Sequence, residues 1–308
     1  MKLIKQSFEI LDQQCGLEGI YKQIERAGRT CYKSEDKITE DSAKEFVDRM
    51  INSGHGAMLE HGTVYLKFNV KDLYIVGEEE YLNQQKKLNS LINKYSTNKY
   101  SIVKINQYYD TAFITTNYRV LVENGWLDDL QYICEPTEYH EKRITVKFIT
   151  DQGILREFTR HRVFSFAVES TRYCNYSRSK FSNEVTFIQP NWISDEDVKN
   201  YYMDYDYFTD QDNNHIIAVN RFMSALKNAE YFYIELIKLG WKPQQARNIL
   251  PLATKCDMVM TGFVSDWKHF FRVRSRIAET GKPHPQAQEL ADPLMDEFVK
   301  RGIMETLL

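Results

Sequence analysis

The chain has 308 residues, 43% hydrophobic and 13% aromatic, which excludes a disordered chain or a repeat filament and supplies a ring-rich core. Its 40 Lys and Arg stand against 43 Asp and Glu, so the net charge of −3 gives no overall attraction to nucleic acid or an anionic membrane, and any basic site must be local. Five scattered cysteines without a CxxC pair, no apolar leader and no apolar run of membrane-spanning length predict a reduced, cytoplasmic protein.

Along the chain, Ala43, Phe46, Val47, Met50 and Ile51 fall on one helical face, and the helix should stop at Asn52-Ser53-Gly54. Val64, Leu66, Phe68 and Val70 then alternate with Thr63, Tyr65, Lys67 and Asn69, the period of a strand with one buried face. Residues 76–104 turn polar and rich in Lys, Glu and Asn, and read as an inserted surface helix or lobe. A second strand is expected at Val146, Phe148 and Thr150, and Asp151 should cap a helix from Gln152 to about Arg160, with Arg156 and Arg160 one turn apart. Glu184 to Ile188 reads as a strand. Asn214 to Leu239 carries the best helical stripe, ended by Gly240. Pro243 and Pro251 bound a short helix, Ser265 is the expected cap of another, and Pro293 the expected start of the last. Strands and helices mixed in this way predict an α+β fold, an antiparallel β-sheet packed with helices, as a single domain over 1–308 with a polar inserted lobe near 76–104.

The densest chemistry lies between Arg156 and Lys180. Six Lys or Arg (Arg156, Arg160, Arg162, Arg172, Arg178, Lys180) face two acids, Glu157 and Glu169, a local +4 in a chain of −3. Ser165, Ser170, Thr171, Tyr173, Asn175 and Ser177 add short donors, a set that suits phosphate or, failing that, a solvated basic face. A second basic group, Lys268, Arg272, Arg274, Arg276 and Lys282, and a separate Arg247 in Ala246-Arg247-Asn248-Ile249-Leu250-Pro251, point to two anionic ligands. Arg272 and Arg276 are the members most easily satisfied by surface acids. His55, Glu60 and His61 match no zinc spacing. No cysteine sits in a nucleophile signature, and neither GxGxxG nor GxxxxGK[ST] is present.

Arg160-His161-Arg162, then Ser165, Ser170 and Arg172, reproduce RHRxxSxxxxSxR, and on this motif the chain resembles the flavin-dependent thymidylate synthases. Gly54-His55 with Glu60-His61 is similar to that family's GHxxxxEH, Ala246-Arg247 with Leu250-Pro251 to its ARxxLP, and Arg274 with Gln286 to Glu289 to its closing R…AQxE. The resemblance implies reductive methylation of dUMP to dTMP, with methylenetetrahydrofolate as carbon donor and FAD, recharged by NADPH, as hydride carrier, yielding tetrahydrofolate in a homotetramer. By position, Arg160, His161 and Arg162 would grip FAD with His61 and Thr63 at its other end, and Glu169 and His269 would stand on the cofactor side. Glu157, Arg160, Ser170, Arg172 and Arg247 would hold dUMP, and Arg274 would act catalytically at the uracil edge. Ala167-Val168 stand where many members have Asn-Glu, with Glu169 one place later, and Phe263 and His269 stand where two asparagines often contact FAD. The residues themselves leave two other readings open: an RNA- or nucleotide-binding module on the basic, tyrosine-rich stretch 156–180, and a metallohydrolase built on His55, Glu60 and His61.

Overall fold

A strand that reads apolar on both faces must sit inside a sheet with both sides covered. Lys255–Phe263 is such a strand: its seven central residues are buried in the computed structural model, which describes residues 1–71, 73–203 and 213–307. In chain order the strands are β1 (Lys2–Ile4), β2 (Ser7–Ile10), β3 (Thr63–Asn69), β4 (Ile102–Asn106), β5 (Thr111–Asn117), β6 (Arg143–Asp151), β7 (Ser165–Val168), β8 (Thr186–Ile188) and β9 (Lys255–Phe263). The main sheet runs β2-β6-β9-β7, antiparallel throughout, and a second antiparallel sheet runs β3-β5-β4. The expected antiparallel architecture therefore forms as two sheets, beside a parallel pair β1-β8 that closes the N-terminus onto the middle of the chain.

The helices that build the main cores and the site include α1 (Gly16–Tyr32), α2 (Ser42–Asn52), α3 (Glu78–Ser96), α4 (Gln152–Phe158), α5 (Asn214–Lys238), α6 (Val264–Arg274) and α7 (Pro285–Lys300). Trp267, Phe270 and Phe271 of α6 and Leu290, Leu294 and Phe298 of α7 pack on one face of the main sheet against Val146, Phe148, Met258 and Met260. Ala27 of α1 meets Ala167 and Val259 on the other face. The polar segment 76–104 is chiefly α3, which is not wholly a surface element: Leu88, Leu91 and Tyr95 enter the core of the second sheet. Among the described residues no helix is long and apolar enough to cross a membrane.

Several boundaries move for local reasons. Asp151 does cap α4, its Oδ1 accepting from the Ile154 N–H at 2.7 Å, but α4 closes at Phe158 and leaves Arg160 in the following turn. Helix α6 issues directly from β9, so Asp266, not Ser265, satisfies its entry by accepting the Phe263 N–H at 3.1 Å. Helix α7 begins at Pro285, where a ring-fixed φ costs no hydrogen bond, and Pro293 lies inside it. The strand expected from Glu184 begins at Thr186. Gly240 ends α5 as expected, in a left-handed conformation (φ 94°) that favours glycine.

Candidate active site

The motif is split by its own strand. Arg160, His161 and Arg162 precede β7, and Ser170 and Arg172 follow it; four residues of β7 span roughly 13 Å, enough to give two separate basic ends. Phe164 anchors the turn by lying on Gly262, where a Cβ would come within 2.4 Å of its ring. Arg156, Arg160, Arg162, Arg172 and Arg247 are all exposed, and among the described residues none forms an ion pair. Arg272 and Arg276, by contrast, are matched, with Glu279 at 3.4 Å and with Asp296.

At the far end of β7, Arg247 donates to Thr171 Oγ1 at 2.8 Å, and the two line a polar cavity of about 370 Å³ with Arg156, Gln152 and Asn248. Arg172 is exposed beside it, its guanidinium 5.4 Å from the centre of the Tyr173 ring. The Ser170 N–H donates to the Cys31 carbonyl at 2.8 Å, which fixes this loop against α1. Thus Arg247 converges with Arg156 and Thr171, while Arg172 and Ser170 stand on the adjoining loop.

Arg274 is held from three directions. It donates through Nη1 to the Glu157 carboxylate, through Nη2 to the Glu157 carbonyl at 2.9 Å, and through Nε to His161 Nε2 at 3.1 Å. That last bond makes His161 an acceptor, which places its ring proton on Nδ1. Burial first, then the charges of Arg274, His269 and Arg160, push His161 down to about 4, so the imidazole is neutral at neutral pH. Burial also lowers Arg274, against the opposing pull of Glu157. His269 is exposed, its ring centre 6.0 Å from that of His161.

His61 and Thr63 lie deeper. His61 is fully buried, its Nδ1 2.8 Å from Thr261 Oγ1, which in turn lies 2.9 Å from Thr145 Oγ1. Its Nε2 is buried without a partner, and burial beside the charge of Arg143 pushes the ring down to about 3. The Thr63 N–H donates to Gln13 Oε1 at 2.8 Å. Glu60 is taken by Arg119 at 2.5 Å, and among the described residues no three His, Cys, Asp or Glu converge as a metal-ligand set.

Glu169 enters a buried ionic knot. Its carboxylate accepts from Lys255 at 2.8 Å, from the Tyr176 hydroxyl at 3.0 Å and from the Asp257 N–H at 3.2 Å. Asp257 is paired with Lys33, Lys255 and Lys147; against the upward push of burial, Lys255 and Lys33 hold it down to about 2. Cys174, beside this knot, is buried, and burial with the charge of Glu169 pushes its thiol up to about 12, the opposite of what a nucleophile requires.

Arg143, buried between the Glu60 carbonyl and Ser165, is a cation beside this site that the sequence reading missed. The expected strand stopped at Val146, three residues short of it, and spacing gives no sign that an arginine there is buried.

Residues 136–301 match the family model described as thymidylate synthase complementing protein. The match covers more than half of the chain, and the chain belongs to that family. It is 26% identical over 157 residues to a probable flavin-dependent thymidylate synthase of Paramecium bursaria Chlorella virus 1, covering 51% of this chain and 66% of the viral one. It is 30% identical over 142 residues to a flavin-dependent thymidylate synthase of Synechocystis sp., covering 46% and 60%. The chain thus spans less than two thirds of each of these relatives. A crystal structure of the UMP/dUMP methylase PolB from Streptomyces cacaoi aligns over 97% of this chain and 93% of that one, at 17% identity and a TM-score of 0.43.

Proposed function

We propose that the protein converts dUMP to dTMP by reductive methylation, using methylenetetrahydrofolate as carbon donor and FAD reduced by NADPH, and releasing tetrahydrofolate. The observation that carries this reading is the set of uncompensated arginines at both ends of β7 in a chain of net negative charge. Family membership supports it. The cavity at Arg156, Thr171 and Arg247 fits a phosphate, with forked cations and a hydroxyl around it, and Arg172 stands on the loop beside it to add a further charge. We place FAD against Arg160, His161, Arg162 and Thr63; the buried, unpaired Arg143 nearby favours an anionic cofactor there. Bound flavin would supply the hydride chemistry.

The chain's own residues supply alignment and charge. Arg274, braced by Glu157 and His161, keeps N–H donors free for the uracil edge. A fixed guanidinium there stabilises the negative charge that develops on N3 and O4 as C5 becomes nucleophilic, more than it stabilises the neutral ring. Because Arg274 neutralises Glu157, that carboxylate no longer repels the phosphate. Neutral His161 accepts from Arg274 and adds no competing charge. We extend the proposal to a homotetramer over the domain 1–308. Tritium release from 5-tritiated dUMP in the presence of NADPH, FAD and methylenetetrahydrofolate tests it. Dependence on all three supports the assignment, and tight nucleotide or RNA binding without release would favour a binding module on 156–180 instead.

A further inference from the structure

Arg143 opens β6 and is only 9% exposed. Its Nη1 donates to the Glu60 carbonyl at 2.9 Å, its Nη2 lies 3.4 Å from Ser165 Oγ, and its guanidinium sits 5.5 Å from the centre of the Phe263 ring, which the β6-β9 register places opposite. Among the described residues no carboxylate lies within ion-pairing distance of it. The two acids nearby are committed elsewhere: Glu60 to Arg119, and Asp266 to the Phe263 N–H. Burial pushes Arg143 down to about 10, which still leaves it charged at neutral pH. A buried cation without a counter-ion is costly, and a ligand's negative charge is the natural completion.

Arg143 lies in the wall of a cavity of about 520 Å³ that also takes Arg162 from the motif and Lys99 and Tyr100 from the 76–104 segment. Lys99 Nζ rests 4.8 Å from the centre of the Tyr100 ring, and Phe164 and Phe263 supply flat apolar wall. The lining thus holds three cations, Lys99, Arg143 and Arg162, beside Glu60, which Arg119 takes, and Asp266, which accepts the Phe263 N–H. Three cations from three separate segments, with none of them in an ion pair among the described residues, suit a diphosphate diester, and the aromatic wall suits a ring attached to it.

We propose that this cavity is a diphosphate subsite, with Arg143 as its buried anchor and Lys99 and Tyr100 as the contribution of the polar segment to ligand binding. The proposal rests on the flavin reading above, because FAD carries a diphosphate and riboflavin carries none.

Wild type, Arg143→Met and Lys99→Met are titrated with FAD and with riboflavin by flavin fluorescence, and with inorganic pyrophosphate by thermal shift. Arg143→Met should lose about 30-fold in FAD affinity, the scale of a lost charged hydrogen bond, while riboflavin affinity stays within about threefold. Lys99→Met, at an exposed position, should lose about fivefold for FAD with an unchanged Tm. Pyrophosphate should raise the Tm of wild type and not that of Arg143→Met. A folded Arg143→Met with wild-type FAD affinity overturns the subsite and leaves the flavin reading standing. A wild type that binds neither flavin overturns the flavin reading; Arg143-dependent pyrophosphate protection then upholds the subsite, and its absence removes it. Should Arg143→Met fail to fold, Lys99→Met decides: undiminished FAD affinity in that variant overturns the proposal.

Discussion

The two ends of β7 and the lysine knot behind them handle charge in opposite ways. Arg156, Arg160, Arg162, Arg172 and Arg247 stand exposed and, among the described residues, without an acid partner, whereas Lys33, Lys147 and Lys255 are engaged by Asp257 and Glu169 inside the fold. Glu169 belongs to the same thirteen-residue stretch as Arg160, Arg162 and Arg172, yet its carboxylate faces the knot. The difference teaches which charges are available to a ligand. Charge answered within the chain maintains the framework, and charge left unanswered at a surface cleft is free to bind. Arg274 falls between the two: three donor contacts go to Glu157 and His161, and the remainder stay free.

The sharpest way to break this comparison is at Arg274. Arg274→Ala should lower kcat by about a thousandfold, the scale of removing a preorganised charge donor, and raise the dUMP KM far less. Arg274→Lys should recover little, since an ammonium cannot serve Glu157, His161 and the uracil edge from one planar fork. A folded variant with wild-type kcat would return Arg274 to the framework class. At the knot the effect should fall on stability instead: Lys255→Met leaves Asp257 and Glu169 undercompensated and should cost about 3–5 kcal/mol, measured by urea unfolding, with dUMP affinity unchanged in the folded fraction. Arg247→Ala should show the reverse pattern. We expect dUMP binding to weaken by about 2 kcal/mol in calorimetry with a Tm close to wild type, and equal losses in both would erase the distinction.

Acid titration sharpens the comparison further. His161 and His61 are depressed to about 4 and about 3, while their unfolded values lie near 6.5. Between those limits the unfolded chain binds more protons, so their contribution to stability is complete above about pH 6.5 and is lost as pH falls through the window. Melting temperature measured from pH 7 to pH 4 should fall less steeply in His161→Gln than in wild type; parallel curves would show that His161 does not contribute. The smallest effect is expected at Cys174, whose raised thiol argues against nucleophilic catalysis. Cys174→Ala should leave turnover within a few fold, and a loss beyond about a thousandfold would make it the nucleophile.

By itself the sequence determined the elements with strong periodicity or clear punctuation: α2, β3, the Asp151 cap and the Gly240 end of α5. It also determined the basic motif, because local charge surplus and fixed spacing are properties of the chain alone. The pairing of Arg272 with Glu279 is local in sequence, whereas that of Arg276 with Asp296 crosses 20 residues to α7. Tertiary structure alone decided the rest. Strand β9 carries no alternation because both its faces are buried, and α1 escaped because its apolar positions are interleaved with Gln23, Glu25 and Arg29, which the fold buries, Gln23 on the Leu11 carbonyl and Glu25 and Arg29 on each other. Whether a charge is answered is likewise invisible to spacing: Glu169 meets Lys255 across 86 residues, Arg274 meets Glu157 across 117, and Arg143 meets only carbonyl and hydroxyl oxygens. Sequence sets how much charge a segment holds, and long-range packing sets which of it is compensated, because Coulomb energy depends on separation and burial in space and not on distance along the chain.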